Sequence, residues 1–184
     1  TRTKSSAASD VYKRQPICVF DSEYREGETD LLFSGIKITE KNIRTLRKEC
    51  GGLLFLAIGH EIGEIFDLPY LQDLYDNPMM NESYPVLREL STNDLKYDSK
   101  SAFTLTINHR ETYTGITDTD RCLTTKRFAE LSNELLNKNE LKEIARSRLG
   151  NEFRTPGHIP VCLEQKGGLK TREGHTELAV AVAR

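Results

Sequence analysis

The segment that most constrains the fold is an uninterrupted apolar run over residues 53–58. A strand with no polar residue on either face must be covered on both sides, which is typical of a central strand packed between helices. Apolar or alternating patterns predict further strands over residues 17–20, 102–107 and 159–163. Helical patterns separate these strands without strict alternation of strand and helix. We therefore expect an α+β fold, a single compact domain with a mixed central β-sheet flanked by helices.

Capping residues predict where the helices begin and end. Thr39 is a candidate N-cap for a helix that ends near the pair Gly51-Gly52. Four more helices are predicted: a short one ending before Pro69, one from Asp118 or Thr119 through Leu136 with Phe128, Leu131 and Leu135 inward, one over residues 139–149, and one opened by His175.

Chain breakers predict the irregular segments. Residues 76–100 have little periodicity and are predicted to form a long loop, a feature that is usually functional or mobile. Pro156-Gly157 predicts a turn. Residues 159–163 and 168–170 would then form a hairpin.

The composition bears on partners and compartment. The formal net charge of -2 does not indicate a nucleic-acid-binding surface, and we expect no such partner. No apolar run approaches the roughly 18 residues that a membrane span requires. The four cysteines form no CxxC pair, which favours reduced thiols and a cytoplasmic protein.

The two ends of the sequence differ from its middle. Residues 1–15 are polar and aperiodic, and the string SAASDVYKRQ resembles translated sequencing-adapter read-through. We expect this segment to be non-native or disordered, and the domain to occupy residues 16–184. The last residues stop inside a helical pattern, which predicts a C-terminally incomplete domain.

The densest group of charges lies between two predicted strands. Within ten residues the chain carries Asp21, Glu23, Arg25, Glu26, Glu28 and Asp30. Carboxylates this close repel one another, and Mg²⁺, which takes oxygen ligands, would offset that repulsion. An arginine among them could bind a phosphate through two hydrogen bonds. The alternative is a solvated acidic loop.

Three further segments carry residues capable of chemistry. Gly174 precedes a predicted helix whose first amides, together with Arg172 and Thr176, could hold an anion. His158 follows a rigid Pro-Gly pair and could act as a general acid or base. Thr114 lies in a threonine-rich turn that could line a phosphate or sugar site. The alternatives are an N-capping turn, a structural histidine and an ordinary turn.

Four stretches taken together resemble one family. They are REGETDLLF at 25–33, YTGITDTDR at 113–121, FRTPGHIP at 153–160 and REGHTELAV at 172–180. In this order they are similar to 3,4-dihydroxy-2-butanone-4-phosphate synthases, and the form REGETD resembles the archaeal branch. The resemblance extends from Ile17 to the last residue.

The resemblance implies roles for individual residues. It makes Glu26 and His175 the metal ligands, and Glu26, Glu28 and His158 the catalytic residues. The implied substrate contacts are Arg25, Glu26, Asp30, Thr114, Arg172, Glu173, Gly174, His175 and Thr176, with Asp21 and Asp120 lining the pocket.

The resemblance also implies an activity. Members convert D-ribulose 5-phosphate to L-3,4-dihydroxy-2-butanone 4-phosphate and formate in riboflavin biosynthesis, with Mg²⁺ or Mn²⁺, two ions per site once substrate is bound. They form homodimers with shared active sites. The family places an essential glutamate beyond the last helix of this chain, so we expect the chain as given to release little formate. Phe55 stands where the family often has cysteine.

Two other functions fit the same residues. One is a different Mg²⁺-dependent lyase or isomerase acting on a sugar phosphate. The other is a non-catalytic domain that binds sugar phosphate without converting it. Product analysis separates them, because only the synthase releases formate.

Overall fold

The computed structural model of the protein describes residues 15–90, 94–138 and 140–184. The N-terminal segment predicted to be non-native or disordered lies outside this part, apart from its last residue. Within the described ranges, no helix is both long and apolar enough to cross a membrane.

Five strands form two sheets in the described part of the chain. Strands β1 (Ile17–Phe20) and β2 (Thr29–Leu32) form an antiparallel hairpin. Strands β3 (Leu56–Ile58), β4 (Phe103–His109) and β5 (Phe153–Leu163) form a sheet of order β3-β5-β4, in which β5 pairs parallel to β3 and antiparallel to β4. The predicted α+β class and mixed sheet are confirmed.

Helices surround these strands. Thr39 caps the first helix as predicted, because its hydroxyl accepts from the Asn42 amide and the Asn42 side chain accepts from the Thr39 amide. The described helices are α1 (Glu40–Glu49), α2 (His60–Phe66), α3 (Leu71–Tyr75), α4 (Pro78–Ser83), α5 (Val86–Leu90), α6 (Asp118–Lys138), α7 (Lys142–Glu152) and α8 (His175–Ala183).

The main core lies between the three-stranded sheet and helices α2, α6 and α7. The ring of Phe128 lies 5.6 Å from that of Phe66 and 5.7 Å from that of Phe153, measured between centroids. Phe128, Leu131 and Leu135 are all buried, as predicted. Helix α8 contacts both β3 and β1. It therefore ties the hairpin to the sheet and fixes the position of the acidic loop.

The apolar run over residues 53–58 does not form a central strand. Only Leu56–Ile58 is a strand, and it lies at one edge of the sheet, while β5 is central. Leu53 is 57 % exposed. Leu54 and Leu56 are apolar because they pack against the core, and the run also lines a large cavity, described below.

The predicted long loop over residues 76–100 is partly helical. Helices α4 and α5 occupy much of its first half. Asn77 caps α4 by accepting from the Met79 amide, and Pro78 stands at the first helical position, where it needs no hydrogen-bond donor. Both helices are too short to establish a hydrophobic period, so the sequence pattern does not predict them.

The predicted turn at Pro156-Gly157, and the hairpin after it, are wrong. Strand β5 continues from Phe153 to Leu163, with a cis peptide at Thr155-Pro156. Residues 168–170 form a 3₁₀ turn instead. The pairing passes from Ile107 with Ile159 to Asn108 with Arg154. The partners of these two adjacent β4 residues are thus five positions apart on β5. The four residues between them, 155–158, bulge out of the ladder.

Gly157 makes this bulge possible. A Cβ atom on Gly157 would lie 2.0 Å from the carbonyl carbon of Ile107. The bulged backbone therefore lies directly against β4, and only glycine fits. The bulge carries His158 at its end.

Candidate active site

The hairpin loop between β1 and β2 is organised by Asp21. Its carboxylate accepts from the Glu26 amide at 2.9 Å and from the Glu28 amide at 3.1 Å. Burial acts to raise the pKa of Asp21, but these amides, that of Ser22 and the nearby His175 outweigh it and lower the pKa overall. Asp21 is thus ionised, and it fixes the backbone that presents Glu26 and Glu28.

His175, at the start of α8, meets this loop and is 8 % exposed. Its Nε2 lies 3.1 Å from the carbonyl oxygen of Glu28. A carbonyl only accepts, so Nε2 carries a proton and donates it. Nδ1 faces Oε2 of Glu26 at 3.3 Å. Two acceptors then face each other, unless a cation or a second ring proton lies between them.

This arrangement fits a divalent metal ion. A metal-binding histidine usually donates its other ring N–H to a carbonyl or carboxylate, as His175 does to Glu28. One ligand atom each from Asp21, Glu26 and His175 lie within 4.8 Å of one another. Two carboxylates and an imidazole suit a small hard cation such as Mg²⁺ or Mn²⁺. The structure thus brings the two predicted ligands together and adds Asp21.

Asp30 lies at the edge of the same group. Its carboxylate is 4.0 Å from Nε2 of His175. Burial raises the pKa of Asp30, and the neighbouring carboxylates of Glu28, Glu26 and Asp21 raise it further, while His175 opposes them. A carboxylate with a raised pKa exchanges protons more readily near neutral pH.

Two predicted anion-binding arginines converge on one carboxylate, Asp98. Arg25 reaches it at 2.9 Å, and Arg172 reaches it through Nη2 at 2.7 Å and Nε at 3.0 Å. All three side chains are largely buried. Asp98 therefore occupies the position between the two guanidinium groups.

Arg172 has a second carboxylate partner, Glu177 in α8. Nη1 of Arg172 donates to Glu177 at 2.6 Å, and Glu177 is 0 % exposed. Glu177 also accepts from the Gln165 amide at 3.0 Å. A side chain on Gly174 would overlap the Arg172 guanidinium. These contacts fix Arg172 against the first turn of α8, beside the buried Thr176.

An open cavity of ≈ 1700 Å³ connects most of the predicted residues, and Phe55 also lines it. His158 is exposed on the β5 bulge, and its ring contacts Asn108. The predicted residues that line the cavity are Glu26, Glu28, Asp30, His158, Arg172, His175 and Thr176.

Some predicted residues lie elsewhere. Thr114 belongs to a turn held by Asp120, whose carboxylate accepts from the Thr114 amide at 3.1 Å and the Gly115 amide at 2.8 Å. Neither Thr114 nor the exposed Glu173 is among the described residues that line the cavity. The cap of α6 is Thr117, whose hydroxyl accepts from the Asp120 amide, rather than Asp118 or Thr119.

Three residues that organise the site were not predicted from the sequence. Asp98 lies in the segment interpreted as a loop, Asn108 ends an alternating strand, and Glu177 is part of the last helix. Asp98 has no local sequence signal, because its partners are 73 and 74 residues away. Glu177 could have been found, because an acidic residue five positions after an arginine on a buried helix needs a partner.

Comparison with known proteins identifies the family. The family model described as 3,4-dihydroxy-2-butanone 4-phosphate synthase matches residues 5–184. The synthase of Methanosarcina acetivorans is 40% identical over 169 residues, covering 91% of this chain and 66% of that protein. The synthase of Methanothermobacter thermautotrophicus is 37% identical over 166 residues, covering 90% and 68%. The chain thus spans about two thirds of these archaeal relatives.

A solved structure of a synthase in complex with two magnesium ions has the same fold. The TM-score is 0.67 at 21% identity, over 97% of this chain and 67% of the other. The predicted archaeal resemblance agrees with the relatives found. On the match of the family model and the identity to these relatives, the chain belongs to the 3,4-dihydroxy-2-butanone 4-phosphate synthase family.

Proposed function

We propose that this chain is a carbon–carbon lyase that converts D-ribulose 5-phosphate to L-3,4-dihydroxy-2-butanone 4-phosphate and formate in riboflavin biosynthesis. The observation that carries the proposal is that Asp21, Glu26 and His175 lie together, and that Glu26 and His175 line one cavity with Arg172. Arg172 is joined to Arg25 through their shared partner Asp98. An enzyme that binds a sugar phosphate requires a metal site next to a positively charged site for the phosphate. Family membership supports the same reaction.

The cofactor in this proposal is Mg²⁺ or Mn²⁺, held by Glu26 and His175 with Asp21 beside them. When bound, a divalent ion supplies Lewis-acid polarisation of a substrate oxygen. The similar structure described with two magnesium ions supports two ions per site. The hydrogen bond from His175 to the Glu28 carbonyl keeps Nδ1 directed at Glu26.

Arg25 and Arg172 are the proposed phosphate-binding residues. Both now pair with Asp98, so a phosphate that binds them must take the place of this carboxylate. Thr176 and the backbone of Glu173 and Gly174, at the start of α8, would supply neutral donors to the same anion.

The catalytic roles are assigned to Glu26, Glu28 and His158, with Asp30 close to the two glutamates. Enolisation of ribulose 5-phosphate removes a proton from the carbon beside the carbonyl, and later steps return and remove further protons. Asp30 suits such steps because burial raises its pKa. Thr114, which lies in the turn held by Asp120, would act on the substrate only indirectly.

The activity is tested with ribulose 5-phosphate labelled with ¹³C at C4. We expect labelled formate with Mg²⁺ and none with chelator. An isomerised sugar phosphate as the product, or binding without turnover, would contradict the synthase assignment.

The metal assignment is tested by titrating Mn²⁺ into the parent and two variants, Glu26→Ala and His175→Ala. Both variants should bind Mn²⁺ at least tenfold more weakly. Replacing the residues that support a metal ligand typically lowers metal affinity roughly 10–100-fold. Glu23→Ala is the matched control, because Glu23 is an exposed residue of the same loop. Unchanged binding by both variants would refute the assignment.

We also propose a homodimer with shared active sites, working in the cytoplasm. Helices α3 to α5 leave Leu74, Met79, Val86 and Leu90 exposed. Apolar side chains clustered along one segment are typical of a surface that another chain covers. The four cysteines are free thiols, which suits a reducing compartment.

A further inference from the structure

Asn108 makes two hydrogen bonds to His158, and together they fix the orientation of both side chains. Oδ1 of Asn108 accepts from the His158 backbone amide at 2.8 Å. Nδ2 of the same side chain lies 3.1 Å from Nδ1 of the His158 ring. Asn108 lies at the end of β4, opposite the bulge, and is 3 % exposed.

These two contacts determine where the ring carries its proton. A backbone amide can only donate, so the atom of Asn108 that faces it must be the oxygen. The other end of the carboxamide is then the NH₂ group, which can only donate. Nδ1 of His158 must accept, so in the neutral ring the proton is on Nε2. The described residues offer Nε2 no hydrogen-bond partner, and the side chain is exposed at the cavity.

The Asn108 side chain is held in place from behind. Gly115 has φ +87°, and a Cβ atom there would lie 2.1 Å from Nδ2 of Asn108. Only glycine therefore allows the turn to close against this side chain. Asp120 fixes the turn by accepting from the amides of Thr114 and Gly115. The chain of contacts runs from Asp120 through the turn to Asn108 and His158.

We infer that Asn108 is a positioning residue that holds His158 in the neutral tautomer protonated on Nε2, so that His158 acts on substrate as a hydrogen-bond donor. This rests on the proposed function, in which His158 contacts ribulose 5-phosphate. A ring held this way cannot take a proton at Nε2, because that nitrogen has no free lone pair, and giving its proton away would leave an imidazolate. His158 therefore polarises a substrate oxygen through a hydrogen bond, and the carboxylates of the site carry the proton transfers.

The inference explains a motif that the substrate contacts left unexplained. The stretch YTGITDTDR does not bring Thr114 to the cavity. Its glycine and Asp120 instead build the support for Asn108. The motif thus acts on the reaction through the tautomer of a histidine.

The first test measures the ring nitrogens of His158 by ¹⁵N NMR in the wild-type protein. The chain has only four histidines, and His158→Gln identifies the signals of interest. We expect a pyrrole-type signal for Nε2 and a pyridine-type signal for Nδ1. A pyrrole-type Nδ1 in the neutral ring would overturn the inference. This measurement needs neither substrate nor a second variant.

The second test uses Asn108→Asp, whose carboxylate can accept from Nδ1 but cannot donate to it. We expect the proton to move to Nδ1 and kcat for formate release to fall roughly 10²–10³-fold, with KM changed little, because one hydrogen-bond donor to the substrate oxygen is lost. Asn151→Asp is the control, because it makes the same substitution at an exposed residue outside the site. A shifted tautomer with unchanged kcat would refute the positioning role.

The two tests separate this inference from the proposed function. If ribulose 5-phosphate is not converted by the parent, the proposed function fails while the NMR result still decides the tautomer. If the parent converts it and the wild-type ring is protonated on Nδ1, only the inference fails. Thermal melting of Asn108→Asp distinguishes a misfolded variant from one with an altered tautomer.

Discussion

At the candidate phosphate site, Arg25 and Arg172 share one carboxylate partner, Asp98. In Asp98→Asn the two guanidinium groups lose their shared anion. We expect the variant to melt at a lower temperature without phosphate and to bind inorganic phosphate about tenfold more tightly, which is about 1.4 kcal/mol. Phosphate should then restore its melting temperature, because a ligand stabilises the state it binds.

Asp94→Asn serves as the control for this prediction, because Asp94 is an exposed residue of the same segment. Calorimetry with inorganic phosphate and thermal melting measure the two effects. Equal or weaker phosphate binding by Asp98→Asn would mean that Asp98 does not compete for the arginines.

Glu177 is the most buried of the carboxylates near the site, and Arg172 neutralises it. We expect Arg172→Ala to destabilise the protein by roughly 3–5 kcal/mol, because it leaves a buried charge without a partner. The double variant with Glu177→Gln should recover much of this loss, since glutamine can still accept from the Gln165 amide. Urea unfolding of the parent, the two single variants and the double variant measures the coupling. Additive losses would contradict the pairing.

At the scale of elements, the turn before α6 makes the stability of the folded protein depend on pH. Hydrogen bonds from the Gly115, Thr114 and Tyr113 amides lower the pKa of Asp120 against the opposing effect of burial. A lowered folded-state pKa stabilises the protein fully above the unfolded value of 3.8, and this stabilisation is lost as the pH falls through the folded value. We therefore expect stability to decline below about pH 4.

Asp120→Asn tests this dependence. The variant should be less stable near neutral pH by roughly 1–3 kcal/mol, since buried amides lose a charged acceptor. Its stability should also change less between pH 5 and pH 3 than that of the parent, as followed by urea unfolding at each pH. The reverse order of slopes would show that other carboxylates govern acid unfolding.

Local sequence predicted the elements that depend on local contacts. The Thr39 cap and the start of α8 at His175 follow from adjacent residues and are confirmed. The place of β3 in the sheet and the continuity of β5 depend on pairing with distant strands, which no nearby residue encodes. Pro156 and Gly157 indicate an interruption of the strand, which could be a turn or a bulge, and here it is a bulge.

For the molecule as a whole, the sequence motifs named most members of the site but not what holds them. Glu26, His175 and His158 line one cavity as the resemblance implied. Asp98 and Asn108, which control the arginines and the histidine, lie outside the motifs because their roles arise only from tertiary contact. A residue that acts by positioning another side chain is identified by its contacts in the folded structure. Such contacts leave no periodic pattern in the sequence.

Association is the prediction that concerns the whole protein. We expect light scattering to report a dimer at tens of micromolar. Replacing exposed Met79 and Leu90 with lysine should shift it to monomer if helices α3 to α5 form the interface. The exposed Leu141, outside those helices, provides the control substitution. A dimer that survives the paired substitution would place the interface elsewhere.

The four residues of the β5 bulge lie outside the ladder, and this has a consequence for how the strand tolerates change. The face that each neighbouring side chain takes is set by the pairing of Ile107 with Ile159 and of Asn108 with Arg154. Phe153 before the bulge and Ile159, Val161 and Leu163 after it should therefore stay in the same core when the length of the bulge changes. An inserted or deleted residue would instead displace His158, which stands at the end of the bulge. Length variation at this point should therefore affect catalysis more than stability.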